Sequence, residues 1–204
     1  MKLDKIGLIG RFKPLHNGAA LMLDAALSNA NEVIIGIGSS NKYNLRNPFT
    51  SIETEEMLNT YLSKKHNNYK IILVPDFGHI PEYKDGQKWR SYVKENFGNL
   101  DAFVTANEYV ESLLREDYKI IHSWELIPRE NWLELRATMV RIKMASGDSW
   151  KSFIPIEVSE YLEKNNLVER FRKEFGLQTL AELSTTNYEK HENAIEEKLH
   201  AGEF

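Results

Sequence analysis

A short segment near the N-terminus brings together cationic side chains, glycine and proline. It reads Gly10-Arg11-Phe12-Lys13-Pro14-Leu15-His16-Asn17-Gly18-Ala19. Arg11, Lys13 and His16 supply positive charge or hydrogen-bond donors, and a helix that begins near His16 would add its free N–H groups. A phosphate group needs this combination of charge neutralisation, backbone donors and room for close approach. The segment therefore predicts an anion-binding site.

The alternative is an ordinary strand-to-helix turn with a surface arginine, a surface lysine and a histidine that caps the helix. For any one of these residues alone, that interpretation is preferred. For the whole string it is not, because an ordinary turn does not need so many donors.

Hydrophobic patterning predicts the elements that must position this segment. Short apolar runs separated by helical patterns predict parallel βαβ units, and right-handed crossovers would make the sheet doubly wound, or Rossmann-like. The predicted strands are 6–9, 32–38, 70–74, 101–105 and 118–122, the helices between them are 17–29, 51–63, 88–97 and 108–116, and the C-terminal helices are 137–146, 156–165 and 167–175. Ligands of such sheets bind beyond the carboxyl ends of the strands, where the loops 10–18, 38–50 and 75–86 would lie.

We expect one domain over residues 1–175, which includes the C-terminal helices, and a charged helical or flexible tail over residues 176–204. The formal net charge of the chain is −4. Residues 1–50 hold six basic and three acidic residues, whereas residues 157–204 hold six basic residues and eleven glutamates. An acidic protein with a basic N-terminal portion favours a localised anion site and argues against a nucleic-acid partner.

Several other classes are disfavoured by the sequence. The chain has no cysteine, which excludes disulfides and thiolate metal sites, and its six histidines show no metal-ligand spacing. The N-terminus lacks the pattern of a signal peptide, and no stretch approaches the roughly 20 apolar residues that span a bilayer. We therefore expect a cytoplasmic protein without a membrane partner.

Four segments, in order, resemble one enzyme family. The N-terminal string is similar to the G-R-F-x-P-x-H-x-G-H signature of archaeal-type nicotinamide-mononucleotide (NMN) adenylyltransferases, members of the HxGH nucleotidyltransferase superfamily. Three further segments resemble later motifs of that family over about residues 5–175: Ser39-Ser40 with Arg46-Asn47-Pro48-Phe49-Thr50, Leu135-Arg136-Ala137-Thr138-Met139-Val140-Arg141, and Gly147-Asp148-x-Trp150 with Pro155.

The resemblance implies transfer of AMP from ATP to NMN, which gives NAD and pyrophosphate. The NMN phosphate would attack the α-phosphorus of ATP in line, so that the protein mainly aligns groups and neutralises charge. Mg²⁺ would bind through the nucleotide phosphates and need few protein ligands. The partners implied are the small molecules ATP and NMN, and a homo-oligomer is expected because family members commonly associate.

The same resemblance assigns roles to matching residues. The catalytic groups would be His16, Arg11, Arg46, Thr138 and Arg141. The nucleotide would be bound by these and by Gly10, Phe12, Lys13, Gly18, Ser39 and Arg136. Asp76, Trp89 and Asn107 would contact the acceptor, with Trp89 either stacked on the pyridinium ring or simply part of the core. For Trp124 and Trp132, packing between loop and sheet is preferred over a lid or an adenine-side wall.

Ala19 stands where the family signature places its second histidine, which donates to the α-phosphate. Loss of one such donor typically lowers the rate ~10²–10³-fold. Three explanations are open: an engineered exchange, another donor such as Lys13 or Arg136, or a slow or inactive nucleotide binder. The alternative functions are a related transferase with another acceptor, such as a cytidylyltransferase, and a non-catalytic nucleotide or NAD binder.

Overall fold

The computed structural model describes residues 2–133 and 135–184, and five parallel strands within them form one sheet. The strands are β1 (Leu3–Gly10), β2 (Ala30–Gly38), β3 (Tyr69–Val74), β4 (Ala102–Val104) and β5 (Ile120–Ile121). Their order across the sheet is β3-β2-β1-β4-β5. The chain thus moves outward from β1 on one side and then returns to add β4 and β5 on the other. This reversal makes the sheet doubly wound and confirms the predicted fold class.

Helices cover both faces of the sheet. They are α1 (Asn17–Asn29), α2 (Ser51–Leu62), α3 (Gln87–Phe97), α4 (Glu108–Leu114), α5 (Ala137–Ser146), α6 (Ile156–Lys164), α7 (Leu167–Phe171) and α8 (Leu177–Ser184). None of these described helices combines the length and the apolar character needed to cross a bilayer.

Two hydrophobic clusters, one on each face, join the helices to the sheet. On β2, Val33 and Ile35 pack into the larger cluster with side chains of α1, α2 and α5–α7, whereas Ile34 packs into the smaller cluster with those of α3 and α4. Successive side chains of a strand point to opposite faces, so a strand covered on both faces is apolar at nearly every position. This explains the continuous apolar run of β2.

The two strands after the reversal are shorter than predicted. The sequence predicted strands over 101–105 and 118–122, whereas β4 has three residues and β5 two. Tyr118 instead lies in the turn before β5, where its ring stacks on Phe103 with centroids 6.0 Å apart and its hydroxyl donates to the carbonyl of Gly98 at 2.9 Å. Apolar character at this position reflects packing of the turn and not strand pairing.

The C-terminal helices continue beyond the predicted end at residue 175. After α7 the chain forms one π-helical turn, Arg172–Gly176, and then continues as α8. Thr179 of α8 is buried, and α8 packs against α5. Helical packing therefore extends past residue 175, where the sequence analysis ended the domain, and residues 185–204 of the expected tail lie outside the described residues.

Contacts between α7 and α2 hold the loop that precedes α2. Thr50 and Glu53 form a capping box, in which the N–H of Glu53 donates to Thr50 Oγ1 at 3.2 Å and the N–H of Thr50 donates to Glu53 Oε2 at 2.8 Å. Arg170 donates to both carboxylate oxygens of Glu53 and, at 3.2 Å, to the carbonyl of Pro48. The C-terminal end of the loop that carries Arg46 is therefore held in place by α7.

Replacement of Arg170 with methionine is expected to lower the free energy of unfolding by about 1–3 kcal/mol, because charge-assisted hydrogen bonds are lost while the apolar stem and helix propensity remain. Urea unfolding followed by circular dichroism measures this. Arg115→Met is the matched control, since Arg115 is exposed and forms no ion pair among the described residues. Equal stability of the two variants would contradict the proposed support.

Candidate active site

A cavity of about 950 Å³ lies at the carboxyl ends of the strands. Residues at or after the ends of all five strands line it: 10–13 at the end of β1, 38–39 at the end of β2, 75–78 after β3, 105–107 after β4 and 123–124 after β5. The N-terminal ends of α1 and α5 close one side. The cavity thus spans the point where the strand order reverses, which is where open α/β sheets bind ligands.

His16 caps the N-terminus of α1. Its Nδ1 accepts from the backbone N–H of Ala19 at 3.2 Å. Burial, with a further contribution from the charge of Arg141, lowers the pKa of His16 to about 4. The imidazole is therefore neutral near pH 7, and because Nδ1 is an acceptor its one proton lies on Nε2. His16 can donate this proton in a hydrogen bond to a ligand while it holds the helix end.

Arg141 joins α5 to the loop after β1. One of its terminal nitrogens donates to the carbonyl of Lys13 at 2.9 Å, and the other donates to Thr138 Oγ1 at 3.0 Å. Its side chain is buried, and burial followed by repulsion from Arg11 and Arg46 lowers its pKa to about 10. The guanidinium remains charged at neutral pH. A charge held at this cost in desolvation favours a site built for an anion.

Lys13 and Arg11 extend the cluster of positive charge. Lys13 is 1% exposed, and burial followed by repulsion from Arg11 lowers its pKa to about 8. The pKa of Arg11 is lowered by burial and by Arg46, while Asp76 acts in the opposite direction. Asp76 is the one carboxylate in the described lining of the cavity. Several mutually repelling cations around a space with so little negative charge predict a polyanionic ligand.

Arg46 occupies the margin of this cluster. Its side chain is exposed and does not line the cavity, although its charge lowers the pKa of both Arg11 and Arg141. Its N–H donates to Asn44 Oδ1 at 3.1 Å in the turn before α2. Arg46 therefore adds to the positive charge of the cluster without lining the cavity.

Two non-glycine residues of the site have left-handed backbone conformations. Phe12 has φ 52° and Ser39 has φ 51°, each just after a strand end in the cavity lining. Such conformations carry strain, and strained residues concentrate at functional sites. The ring of Phe12 also folds back over Gly10, where an added Cβ would lie 2.6 Å from a ring carbon, so this turn requires glycine at position 10.

The residues predicted to bind the nucleotide fall into the same region. All of them except Arg46 line the cavity: Gly10, Arg11, Phe12, Lys13, His16, Gly18, Ser39, Arg136, Thr138 and Arg141. Ala19, which has no polar side chain, also lines it, and its N–H is engaged by His16.

The predicted acceptor residues lie on the segments that follow β3 and β4 and on α3. Asp76, Trp89 and Asn107 all line it. Asp76 accepts from the N–H of Gly78 at 2.8 Å, and Asn107 caps α4 by accepting from Val110 N at 3.0 Å. Trp89 lines the cavity and also packs against the smaller hydrophobic cluster, so its position leaves a ring face available to a ligand without removing it from the core.

Sequence reasoning missed part of the aromatic lining. Trp124 and Trp132 are 45% and 46% exposed and line the cavity, so the preferred interpretation of packing between loop and sheet was wrong. Trp124 stacks on His122 with ring centroids 4.2 Å apart. Tyr83 and Tyr109 add two further rings to the lining. The one signal in the sequence for these four aromatic residues was their position in or next to the segments that follow predicted strands.

The cavity suits a metal ion held by a ligand more than one held by the protein. Among residues 2–133 and 135–184 no group of three His, Asp or Glu side chains could hold a metal ion. The donors contributed by Arg11, Lys13 and Arg141 are cationic, which fits a ligand whose phosphate oxygens in turn bind a hard cation.

Comparisons with known proteins agree with this geometry. The family model described as cytidylyltransferase-like matches residues 8–195. The nicotinamide-nucleotide adenylyltransferase of Thermococcus onnurineus is 31% identical over 206 residues, covering 99% of this chain and 100% of the relative. That of Pyrococcus furiosus is 32% identical over 203 residues, covering 96% and 97%. The similarity therefore continues past residue 175, where the sequence analysis ended it.

A solved structure has the same fold. It is a bifunctional NMN adenylyltransferase/ADP ribose pyrophosphatase from Francisella tularensis complexed with AMP and manganese, with a TM-score of 0.67 and 24% sequence identity. The match covers 90% of this chain and 53% of that one, so the chain spans about half of the bifunctional protein. Together with the ordered motifs and the cation-lined cavity, these matches show that the chain belongs to the cytidylyltransferase-like family, as a relative of archaeal nicotinamide-nucleotide adenylyltransferases.

Proposed function

We propose that this chain transfers the AMP part of ATP to nicotinamide mononucleotide, giving NAD and pyrophosphate. The observation that carries the proposal is the cluster of the half-buried Arg11 with the buried Lys13 and Arg141, beside the neutral His16 at the N-terminus of α1. Its charge and donors match a triphosphate. The aromatic side chains that also line the cavity suit two flat bases.

The proposed chemistry needs alignment and charge neutralisation more than covalent help. An oxygen of the NMN phosphate forms a bond to the α-phosphorus of ATP, the bond from that phosphorus to the bridging oxygen breaks, and its electron pair leaves with pyrophosphate. His16 would donate from Nε2 to a phosphate oxygen. Arg141, fixed by Lys13 and Thr138, would hold a second oxygen without needing to reorganise.

We infer that the metal ion is Mg²⁺, bound through the phosphates. When bound, it would supply further neutralisation of the polyphosphate charge. The residues present fit this arrangement because the cations of the protein approach the phosphates and leave other phosphate oxygens to the ion.

At the acceptor end, Trp89 would stack on the pyridinium ring, and Asp76 would favour its positive charge. Asn107 and the exposed rings of Trp124 and Trp132 lie near enough to the same space to form further walls. We also propose that the protein is cytoplasmic, that it forms a homo-oligomer and that it has no nucleic-acid partner.

A second candidate function is that of a non-catalytic nucleotide binder, which the apolar Ala19 favours.

An assay of the purified protein tests the proposed transfer. The protein is incubated with ATP, NMN and Mg²⁺, and NAD and pyrophosphate are measured by chromatography and a coupled assay. We expect equal amounts of both products. An identically purified Arg141→Ala variant controls for enzymes of the expression host.

Further arms of this experiment separate the alternatives. CTP and a panel of phosphate acceptors test for a cytidylyltransferase. Tight ATP binding with no pyrophosphate released for any acceptor would support the non-catalytic binder and reject the transferase.

A further inference from the structure

The side chain of Lys13 is buried with fewer hydrogen-bond acceptors than its charge requires. It is 1% exposed, and the one acceptor of its ammonium among the described residues is the carbonyl of Ser39 at 3.3 Å. An ammonium has three N–H donors, and buried lysines are nearly always paired. At least two donors of Lys13 therefore lack a protein acceptor in the described part of the chain.

The surroundings of Lys13 do not compensate its charge. Arg11 repels it, and burial disfavours it. Glu53 attracts it, but this carboxylate forms no ion pair with Lys13 and is already engaged by Arg170 and Thr50. An uncompensated buried charge costs several kcal/mol unless something else pairs with it. Because Lys13 lines the cavity, an anionic ligand there would supply the missing acceptors.

The position of Ala19 shows where such a donor is needed. Ala19 lies in the first turn of α1 and faces the cavity with a methyl group, while its N–H is taken by His16. The side of α1 therefore offers His16 Nε2 to the phosphates and nothing polar from residue 19. Lys13, on the loop that leads into the same helix, brings an additional cation to that end.

We propose that Lys13 is a catalytic residue of the transfer proposed above, and that its ammonium binds the polyphosphate directly and stabilises the charge that builds up as pyrophosphate leaves. The lysine keeps its proton throughout, since the electron pair of the breaking bond goes to the leaving group. Its contribution takes the place of the side-chain donor that Ala19 does not provide. This inference depends on the proposed function.

The pH dependence gives the proposal a specific signature. Burial and Arg11 on its own loop lower the pKa of Lys13, and Glu53 on α2 acts in the opposite direction. Arg141 on α5 donates to the backbone carbonyl of Lys13. A pKa of about 8 in the free protein means that the ammonium is lost as the pH rises through 8. Because kcat/KM reports groups of the free enzyme, it should fall above about pH 8 in the wild type. In a Lys13→Gln variant this decline should be absent.

The decisive experiment compares four proteins: wild type, Lys13→Gln, Ala19→His and the double variant. We expect Lys13→Gln to lower kcat by ~10²-fold with a smaller change in KM for ATP, since the lost donor acts mainly on developing charge. The double variant should recover more than tenfold of that loss, because a histidine at residue 19 restores a donor. Lys119→Gln removes the same charge just before β5, at the opposite edge of the sheet, and should leave kcat unchanged.

A binding measurement separates the contact from the chemistry. Inorganic triphosphate should raise the melting temperature of the wild type more than that of Lys13→Gln, while both proteins fold with the same circular dichroism spectrum. Wild-type turnover in Lys13→Gln, or an unchanged alkaline decline, would overturn the inference and leave the proposed function intact. A loss in Arg136→Gln but not in Lys13→Gln would assign the role to Arg136 instead.

If the wild type makes no product with any acceptor, the proposed function fails and the catalytic role of Lys13 fails with it. The triphosphate titration then shows whether the ammonium contacts the anion at all.

Discussion

Replacement of Arg141 with methionine is expected to lower kcat/KM by about 10²–10³-fold, the largest effect that we predict for a single residue. Arg141 is the cation whose position is most tightly fixed, since it donates to the Lys13 carbonyl at 2.9 Å and to Thr138 Oγ1 at 3.0 Å. The guanidinium is therefore already oriented before the substrate binds. Steady-state kinetics with ATP and NMN measure the loss.

Two companion variants make the Arg141 prediction specific. Arg141→Lys keeps a charge but not two donors in one plane, and should recover only part of the activity. Lys143→Met on the same helix removes a cation that does not line the cavity and should act like the wild type. Persistence of activity in Arg141→Met would show that α5 does not present Arg141 to the phosphates. An equal loss in Lys143→Met would show that the effect is not specific to Arg141.

The second large effect is expected at His16, whose two ring nitrogens have separate tasks. His16→Asn should keep the helix cap, because asparagine is a strong N-cap residue, and should still lower kcat/KM by about 10²-fold because the Nε2 donor is lost. His16→Ala should lose the donor and also about 1 kcal/mol of stability through the missing cap. Kinetics and urea unfolding of both variants, measured side by side, separate the two contributions.

The pH dependence of His16 follows from its lowered pKa. The folded pKa of about 4 lies below the ordinary value of 6.5, so the neutral donor persists as the pH falls from 7 to 5 and is lost only near pH 4. The unfolded chain takes up this proton near pH 6.5, so the stability due to neutral His16 is complete above that pH and declines as the pH falls towards 4. His16→Asn should therefore lose less stability than the wild type over this interval. The phosphates of the substrates also titrate at about pH 6, so the comparison with His16→Asn is the test. A decline in kcat/KM near pH 6.5 that occurs in the wild type and is absent in His16→Asn would contradict a neutral imidazole.

The sequence predicted the cationic lining of the cavity well because the information for it is local. Glycine, proline, cations and a capping histidine lie within one short string, and the loop that they form depends mainly on its neighbours. The apolar run of β2 predicted a central strand for the same kind of reason. Both conclusions needed only the residues of one segment.

Other features depend on long-range packing and could not be predicted in this way. The burial of Lys13 follows from Ser39 and from the docking of α5, neither of which its own segment specifies. The exposure of Arg46 depends on the turn that Asn44 forms. The position at which β5 begins depends on the packing of Tyr118, whose aromatic ring is also typical of a strand residue.

The hydrogen bond between Arg141 and the Lys13 carbonyl spans 128 residues of sequence. The cavity is therefore formed by an early and a late part of the chain, and during synthesis it cannot be completed until α5 has left the ribosome. A nucleotide that contacts both parts of the chain would also stabilise the packing of α5 against the rest of the domain. Part of its binding energy would then stabilise the folded C-terminal helices. Saturating nucleotide should protect the C-terminal helices from local opening as strongly as it protects the loop that touches the phosphates.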